Sequence, residues 1–179
     1  MPVNMKSIIA KTFIDMAKQK GIDKITVKAL IDECNISRQT FYYHFQDLME
    51  VIEWSMEQAL GKMLQESLKA PRAKDALNVL ISSTLENQTL IRKLMDSQRR
   101  KEIERLFVSM TRTYLEELVR GRNQNRTLNY SDMEVALDFW AFGLCGILFQ
   151  CCESNKIPAE NLAGQICRLL PNRGEEDEE

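Results

Sequence analysis

The segment Thr26–Phe45, TVKALIDECNISRQTFYYHF, constrains the fold more than any other part of this 179-residue chain. It predicts two short helices joined by a tight turn. Thr26 and Ser37 are predicted to begin these helices, because a hydroxyl at that position accepts a hydrogen bond from a free first-turn amide. Asn35 falls at the turn and tolerates the left-handed backbone conformation better than most residues other than glycine. The pattern therefore indicates a helix-turn-helix unit.

Each helix of this unit has one apolar side. Val27, Leu30 and Ile31 give the first helix an apolar face, and Phe41 and Phe45, four residues apart, pin the second to the core. The remaining side chains on the first turns of the second helix are polar or aromatic: Arg38, Gln39, Thr40 and Tyr43. Such side chains carry the groups that hydrogen-bond base edges and phosphates, so this helix is the candidate DNA-reading element.

The segment closely resembles the DNA-binding domain of TetR-family transcriptional regulators. The resemblance lies in Thr26-Val27, in Ile36-Ser37 and in the run Thr40-Phe41-Tyr42-Tyr43-His44-Phe45. Two positions depart from the family pattern. Asn35 replaces the usual turn glycine, and Leu48 stands where the family usually has a lysine that touches phosphate. One backbone contact is therefore expected to be missing.

The resemblance also implies a role for each candidate side chain. Base edges would be read by Arg38, Gln39, Thr40 and Tyr43, with Lys28 reaching from the first helix of the unit. Phosphates would be bound by Thr26, Tyr42 and His44, and Ser37 lies at a helix N-terminus, where the dipole favours phosphate. The same residues also fit structural roles, with Thr26 and Ser37 as caps and Tyr42 and His44 as partly buried residues. The expected partner is a double-stranded DNA operator.

Composition and charge are compatible with DNA binding when the N-terminal part of the chain is considered separately from the acidic C-terminal end. Hydrophobic residues make up 44% and charged residues 28%, and the net charge is −2. Residues 1–46 contain seven lysines and arginines against four acidic residues, a net charge of +3, whereas Glu175–Glu179 carries −5. We expect residues 172–179 to form a solvated, disordered acidic tail. The sequence has no run of 18 apolar residues and no secretory signal, so we expect a cytoplasmic protein and no membrane contact.

Helical patterning continues along the whole chain and predicts an all-α fold of about nine helices. A helix at about Ser7–Lys20 completes a three-helix, TetR-like DNA-binding domain over residues 1–46. Residues 47–171 are predicted to form a helical ligand-binding and dimerisation domain. Its first helix runs from Asp47 to about Lys69 and follows the helix-turn-helix unit without a flexible linker.

The later helices are delimited by turn and capping signals. Helices are predicted at Ala73–Glu86, Thr89–Asp96 and Arg99–Arg120, followed by a polar loop at Gly121–Tyr130. Ser131 with Glu134 three residues on resembles a capping box and predicts the start of the next helix. Pro158 is predicted to begin the last helix.

The last two helices carry more apolar residues than one core-facing side needs. We therefore expect a homodimer interface there, and Gly143 and Gly146 would allow close backbone approach. The candidate interface residues are Phe139, Gly143, Gly146, Ile147, Leu162 and Ile166. The short chain and its glycine-rich aromatic helix are similar to the TetR subgroup that includes the dihydroxyacetone-kinase operon activator.

The family resemblance implies an unknown small-molecule effector bound in the second domain. The candidate lining residues are Trp54, Met63, Met95, Phe107, Met110, Tyr114, Trp140 and Cys145. An aromatic and methionine stripe at helical spacing also fits a plain core. The expected ligand is apolar or cationic, since aromatic faces attract positive charge. An alternative is a ligand-free regulator whose C-terminal helices bind a partner protein.

The sequence does not favour an enzyme, a metal site or a cofactor. The only histidine, His44, lies inside the helix-turn-helix unit without a nucleophile or second base spaced around it. The five cysteines show no paired framework and no metal-binding spacing. A regulator of this kind acts as a repressor or an activator, and both stay open.

Overall fold

The computed structural model describes residues 4–122, 129–154 and 161–169, and every regular element within these ranges is helical. The α-helices are α1 (Met5–Lys20), α2 (Val27–Cys34), α3 (Arg38–His44), α4 (Leu48–Lys69), α5 (Ala73–Glu86), α6 (Gln88–Met95), α7 (Arg100–Arg122), α8 (Tyr130–Ser154) and α9 (Leu162–Leu169). A 3-10 turn at Ile22–Lys24 separates α1 from α2. The all-α prediction is confirmed. Below, residues 4–46 are called the head and residues 47–169 the body.

The head folds as its local capping signals predict. The side chain of Thr26 accepts a hydrogen bond from the amide of Ala29 at 3.1 Å, and that of Ser37 accepts one from the amide of Thr40 at 2.9 Å. Asn35 has a φ of +52°, which is the left-handed conformation expected at the turn. These three positions set the angle between α2 and α3, and they therefore determine which side of α3 is left exposed.

Head and body share one apolar core. Helix α4 begins immediately after the head, where Asp47 accepts a hydrogen bond from the amide of Glu50 at 3.0 Å. The carboxylate of Asp23 in the head also accepts the amide of Gln98 in the body, at 3.1 and 3.3 Å. The shared core includes, from the head and the body, Ile9, Phe13, Leu30, Phe41, Val51, Ile91, Leu94 and Ile103. The predicted boundary at residues 46 and 47 thus falls at a helix start and not at a gap in packing.

The body has a second core between α5, α7, α8 and α9. The fully buried Tyr114 makes a 2.6 Å hydrogen bond with Ser67, and both hydroxyls lie within 3.3 Å of the carbonyl oxygen of Ala76. This arrangement ties together α4, α5 and α7. At the surface, the guanidinium of Arg112 on α7 pairs with Glu134 and Asp138 on α8.

Two sequence predictions about the ends of helices need correction. Helix α7 continues through Arg122, so the predicted loop begins later than Gly121. Helix α8 is capped by Asn129, whose side chain accepts the amide of Asp132 at 2.9 Å. The predicted capping box of Ser131 and Glu134 is wrong, because Glu134 is engaged by Arg112 instead. The predicted start at Pro158 and the acidic tail lie outside the described residues.

Helix α8 is apolar enough to cross a membrane by length and composition alone. Residues Tyr130–Glu153 contain a window with a mean hydropathy of 1.7, of which 39% is buried. The core helix of a water-soluble protein passes the same test, and Asp138 of this helix pairs with Arg112. The helix is not an unbroken apolar run, because Asp132, Glu134 and Asp138 interrupt it, and its composition is weak evidence for a membrane span. The helix carries more apolar surface than the protomer itself buries.

The turn at Asn35 leads to a prediction on stability. Asn35→Ala should lower the free energy of unfolding by about 1 kcal/mol, because the left-handed conformation is costly for a residue with a Cβ and no locally bonding side chain. Asn35→Gly should be neutral or stabilising. Urea denaturation measures both changes. Asn78→Ala, at an exposed position of α5, is the matched control and should not destabilise. Wild-type stability in Asn35→Ala would contradict this account of the turn.

Candidate nucleic-acid interface

Helix α3 presents one side to the core and the other to solvent. Phe41 and Phe45 are buried, with ring centroids 6.2 Å apart, and they hold the helix against the head. On the opposite side, Arg38 and Gln39 are exposed, and Tyr43 has 83% of its surface exposed. A fully exposed tyrosine on a helix fixed from behind has no packing role in the protomer. This side of α3 is the strongest candidate for contact with base edges.

The candidate phosphate-binding residues Thr26, Tyr42 and His44 and the base-reading candidate Lys28 belong to α2, α3 and the cap of α2. Thr26 and Lys28 are exposed near the start of α2, and Tyr42 is 47% exposed. The guanidinium of Arg38 lies over the Tyr42 ring at 5.7 Å, and His44 stacks edge-on to Tyr43 at 4.9 Å. These contacts restrict the side chains of Arg38, Tyr42, Tyr43 and His44 on α3.

Two of the DNA-binding candidates, Ser37 and Thr40, already form hydrogen bonds within the protein through their hydroxyl groups. The Ser37 and Thr40 hydroxyls share a hydrogen bond of 2.7 Å, and the Ser37 side chain also caps α3. Thr40 and His44 are half-buried. All nine DNA-binding candidates nevertheless belong to the α2–α3 unit or its caps.

One basic residue beside α3 was missed by the sequence analysis. The ammonium group of Lys6 lies 5.2 Å from the centre of the Phe45 ring, so α1 brings a positive charge to the end of α3. No signal within the helix-turn-helix segment could have found it, since it comes from a different helix. Leu48, which replaces a family lysine, is half-buried and packs on the shared core. Its side chain therefore contributes to packing in place of a phosphate contact.

The body contains a cavity of about 180 Å³ between α1, α4, α5, α6, α7 and α8. Four of the eight predicted ligand-binding residues line it: Met63, Phe107, Met110 and Cys145. The other four do not. Tyr114 is held by Ser67, Met95 is buried in the shared core, Trp54 packs against Phe45, and Trp140 packs on the second core.

The candidate dimer residues fall into two groups. Phe139, 74% exposed, lies on the same outward side of α8 as Gly143 and Gly146, which are both exposed. Ile147 and Ile166 are half-buried against the second core. Leu162 is only 4% exposed and belongs to the core of the protomer, so its placement at an interface is corrected.

The sequence analysis missed two residues on the exposed side of α8. Val135 is 68% exposed and Phe142 is 65% exposed, and both follow the helical spacing of Phe139. We call Val135, Phe139, Phe142, Gly143 and Gly146 the outer face of α8. A contiguous apolar face of this kind marks an interaction surface more often than a solvated one.

The cysteines fit packing roles better than reactive ones. Burial raises the pKa of the Cys152 thiol to about 11 and also raises the pKa of Cys145, whose sulfur donates to the Thr111 hydroxyl at 3.2 Å. A raised pKa disfavours the thiolate that nucleophilic or metal-binding chemistry requires. Within the described ranges, no group of three His, Cys, Asp or Glu side chains is placed to hold a metal ion.

Comparison with known proteins agrees with this geometry over both parts of the chain. Residues 14–50 match the family described as bacterial regulatory proteins of the tetR family, and residues 72–172 match the transcriptional regulator C-terminal region. The chain is 25% identical over 168 residues to the HTH-type dhaKLM operon transcriptional activator DhaS of Lactococcus lactis subsp. lactis (strain IL1403), covering 92% of this chain and 88% of that protein.

Solved structures show the same fold. The dihydroxyacetone kinase operon activator DhaS superposes with a TM-score of 0.69 at 22% identity, over 92% of each chain. Lin0861 from Listeria innocua gives a TM-score of 0.71 at 15% identity, over 94% of each chain. With a helix-turn-helix head, an all-helical body and a family match over more than half of its length, the chain belongs to the TetR family of transcriptional regulators.

Proposed function

We propose that this regulator binds a palindromic DNA operator as a homodimer and that a small-molecule effector modulates the binding. The exposed side of α3, fixed from behind by Phe41 and Phe45, is the observation that carries the proposal. The protein acts in the cytoplasm on double-stranded DNA and has no catalytic step of its own.

The contacts divide into those that read bases and those that position the protein. We assign Arg38, Gln39, Thr40 and Tyr43 to base edges, with Lys28 reaching from α2. Thr26, Tyr42 and His44 are assigned to phosphates, which set the register on the duplex but carry no sequence information themselves. Ser37 acts mainly through its cap, which fixes the first turn of α3.

The homodimer proposal rests on the outer face of α8. Its large apolar side chains are between 65% and 74% exposed in the protomer, and such a face is stabilised when a second copy covers it. A two-fold dimer would place its two α3 helices in successive major grooves, about 34–36 Å apart, or a multiple of that spacing. The same exposed face also supports the alternative, in which a partner protein covers it.

Operator selection tests the central proposal. Selection from a genomic DNA library should enrich one palindromic sequence. The affinity should fall steeply with salt, by about 10³–10⁵ between 50 and 200 mM if six to ten phosphates are contacted, because counterions are released. Gel shifts across the library with no preferred site would contradict it. A reporter gene behind the selected site would separate repression from activation, the role named for the Lactococcus lactis relative.

Three substitutions test which residues contact base edges and which contact phosphates. Gln39→Ala and Tyr43→Ala should reduce discrimination between operator and mismatched sites by roughly 1–3 kcal/mol for each good contact, with folding stability unchanged. Thr26→Ala should weaken binding to all sequences alike. Thr26→Ser keeps the cap and the hydroxyl and serves as its control. Fluorescence anisotropy on matched and mismatched duplexes measures the difference. An equal loss on both duplexes in all variants would show that the sorting is wrong.

The dimer is tested by Gly146→Glu. A Cβ at Gly146 meets nothing within 4 Å in the protomer, so the variant should fold, whereas a charge buried in a packed interface would lack a partner. Sedimentation should show a dimeric wild type and a monomeric variant, and operator affinity should fall with the second half-site. Gly61→Glu on α4 makes the same change in equally open space and should stay dimeric.

A monomeric wild type would contradict the homodimer proposal and favour the alternative, in which a partner protein covers the outer face of α8. A Gly146→Glu variant that stays dimeric with full operator affinity would place the interface elsewhere.

A further inference from the structure

The 180 Å³ cavity is bounded by both parts of the molecule. Phe13 and Ile14 of α1, in the head, form part of its wall, and the rest comes from five helices of the body. Phe13 also belongs to the shared core that holds α1 in place. A molecule in this cavity would therefore touch the head directly.

The cavity wall is apolar, with a small set of neutral polar groups. None of the described residues that line it is acidic, basic or histidine. The polar lining side chains are Ser55, Ser83, Thr84, Asn87 and Thr111. A charged ligand would lose its hydration here without gaining an opposite charge, which is strongly unfavourable.

The hydrogen bonds of these polar groups favour one kind of ligand group. Ser55 donates its hydroxyl proton to the carbonyl oxygen of Val51 at 2.6 Å, and Thr84 donates to that of Leu80 at 2.8 Å. The Thr111 hydroxyl accepts from the Cys145 sulfur. Once its proton is donated, a hydroxyl oxygen still has acceptor capacity. The wall therefore offers acceptors at Ser55 and Thr84 and a donor at Thr111, and it suits a ligand group that both donates and accepts.

We propose, on the basis of the function above, that the cavity binds a small uncharged molecule with an apolar body and one hydroxyl group, which both donates and accepts. An apolar cavity of about 150 Å³ holds a benzene ring, so this cavity has room for a six-membered ring with one or two further heavy atoms. This ligand class departs from the cationic alternative, since neither tryptophan nor tyrosine lines the cavity.

Occupancy of the cavity would act on the head through α1. The ligand would complete the packing around Phe13 and Ile14 and so favour the tilt of α1 that matches the filled cavity. A ligand shifts an equilibrium only through its different affinity for the two states. A ligand that touches α1 would have that difference if a tilt of α1 changes the shape of the cavity wall at Phe13 and Ile14.

Three probes of similar size test the ligand class: benzyl alcohol, toluene and benzylammonium. Calorimetry and thermal shift should show saturable binding of benzyl alcohol, weaker binding of toluene and no binding of benzylammonium, which has the same number of heavy atoms as benzyl alcohol. Methyl NMR should show shifts for Met56, Met63 and Met110, which line the cavity, and none for Met5 and Met133, which do not. This measurement uses the wild-type protein and depends on no variant.

A matched pair of substitutions locates the site. Ser83→Leu should fill the cavity from α5 and lower the affinity for benzyl alcohol at least tenfold, whereas Ser82→Leu, at the neighbouring exposed position that does not line the cavity, should not. Saturating benzyl alcohol should change the operator affinity of the wild type by roughly fivefold or more, the lower end of typical coupling. The response should be absent in Ser83→Leu.

Different results would contradict the ligand class, the hydrogen bond and the action through α1. Binding of benzylammonium as tightly as benzyl alcohol, or no saturable binding of any probe, overturns the ligand class, and equal affinity for toluene overturns the hydrogen bond to the hydroxyl group. Unchanged operator affinity in saturating benzyl alcohol overturns the action through α1. Operator binding without any probe is measured separately, so loss of the ligand proposal with intact operator binding leaves the DNA-binding function standing.

Discussion

The burial of helix α1, through which the head packs against the body, is the constraint on which the rest of the structure depends. Ile9 and Ala17 are fully buried and Phe13 is 2% exposed, and α1 packs against α2 and α3 in the head and against α4 and α6 in the body. Burying one large apolar side chain contributes about 1.5–3 kcal/mol. Detaching the head would forfeit several such contributions and the Asp23–Gln98 hydrogen bonds. Movement of the head is therefore restricted to small tilts of packed helices.

The parts of the fold that could be predicted from sequence are those decided by local chemistry. Thr26, Ser37 and Asp47 cap the helices that follow them, and Asn35 takes the left-handed conformation, because the partners of each lie within a few residues. The start of α8 is also set by a local cap, since Asn129 accepts the amide of Asp132, but the capping-box spacing of Ser131 and Glu134 pointed two residues further on. Glu134 pairs instead with Arg112 of another helix, a contact that the local sequence does not reveal.

Whether a side chain of the body lines the cavity, fills the core or faces solvent depends on the rotation of its helix, which composition does not reveal. Periodicity identified apolar residues, but it could not tell a residue that lines a cavity from one that fills a core. Tyr114 carries a hydroxyl that looks suited to a ligand, yet Ser67, far away in sequence, already bonds it. The surplus of apolar residues on the last two helices was predictable as a total, but their directions were not: Leu162 of α9 is buried in the protomer, whereas Val135 and Phe142 of α8 are exposed.

The shared core also limits how this protein can change its DNA specificity in evolution. A head exchanged with that of a relative would have to bring a surface on α1 that fits Ile91 and Leu94 of α6 as well as a new recognition helix. A mismatch there would leave voids or clashes in a close-packed interior. Recombination of whole modules is thus disfavoured. New binding preferences are reached more readily by single substitutions at exposed positions such as Gln39 and Tyr43, where no neighbour has to adjust.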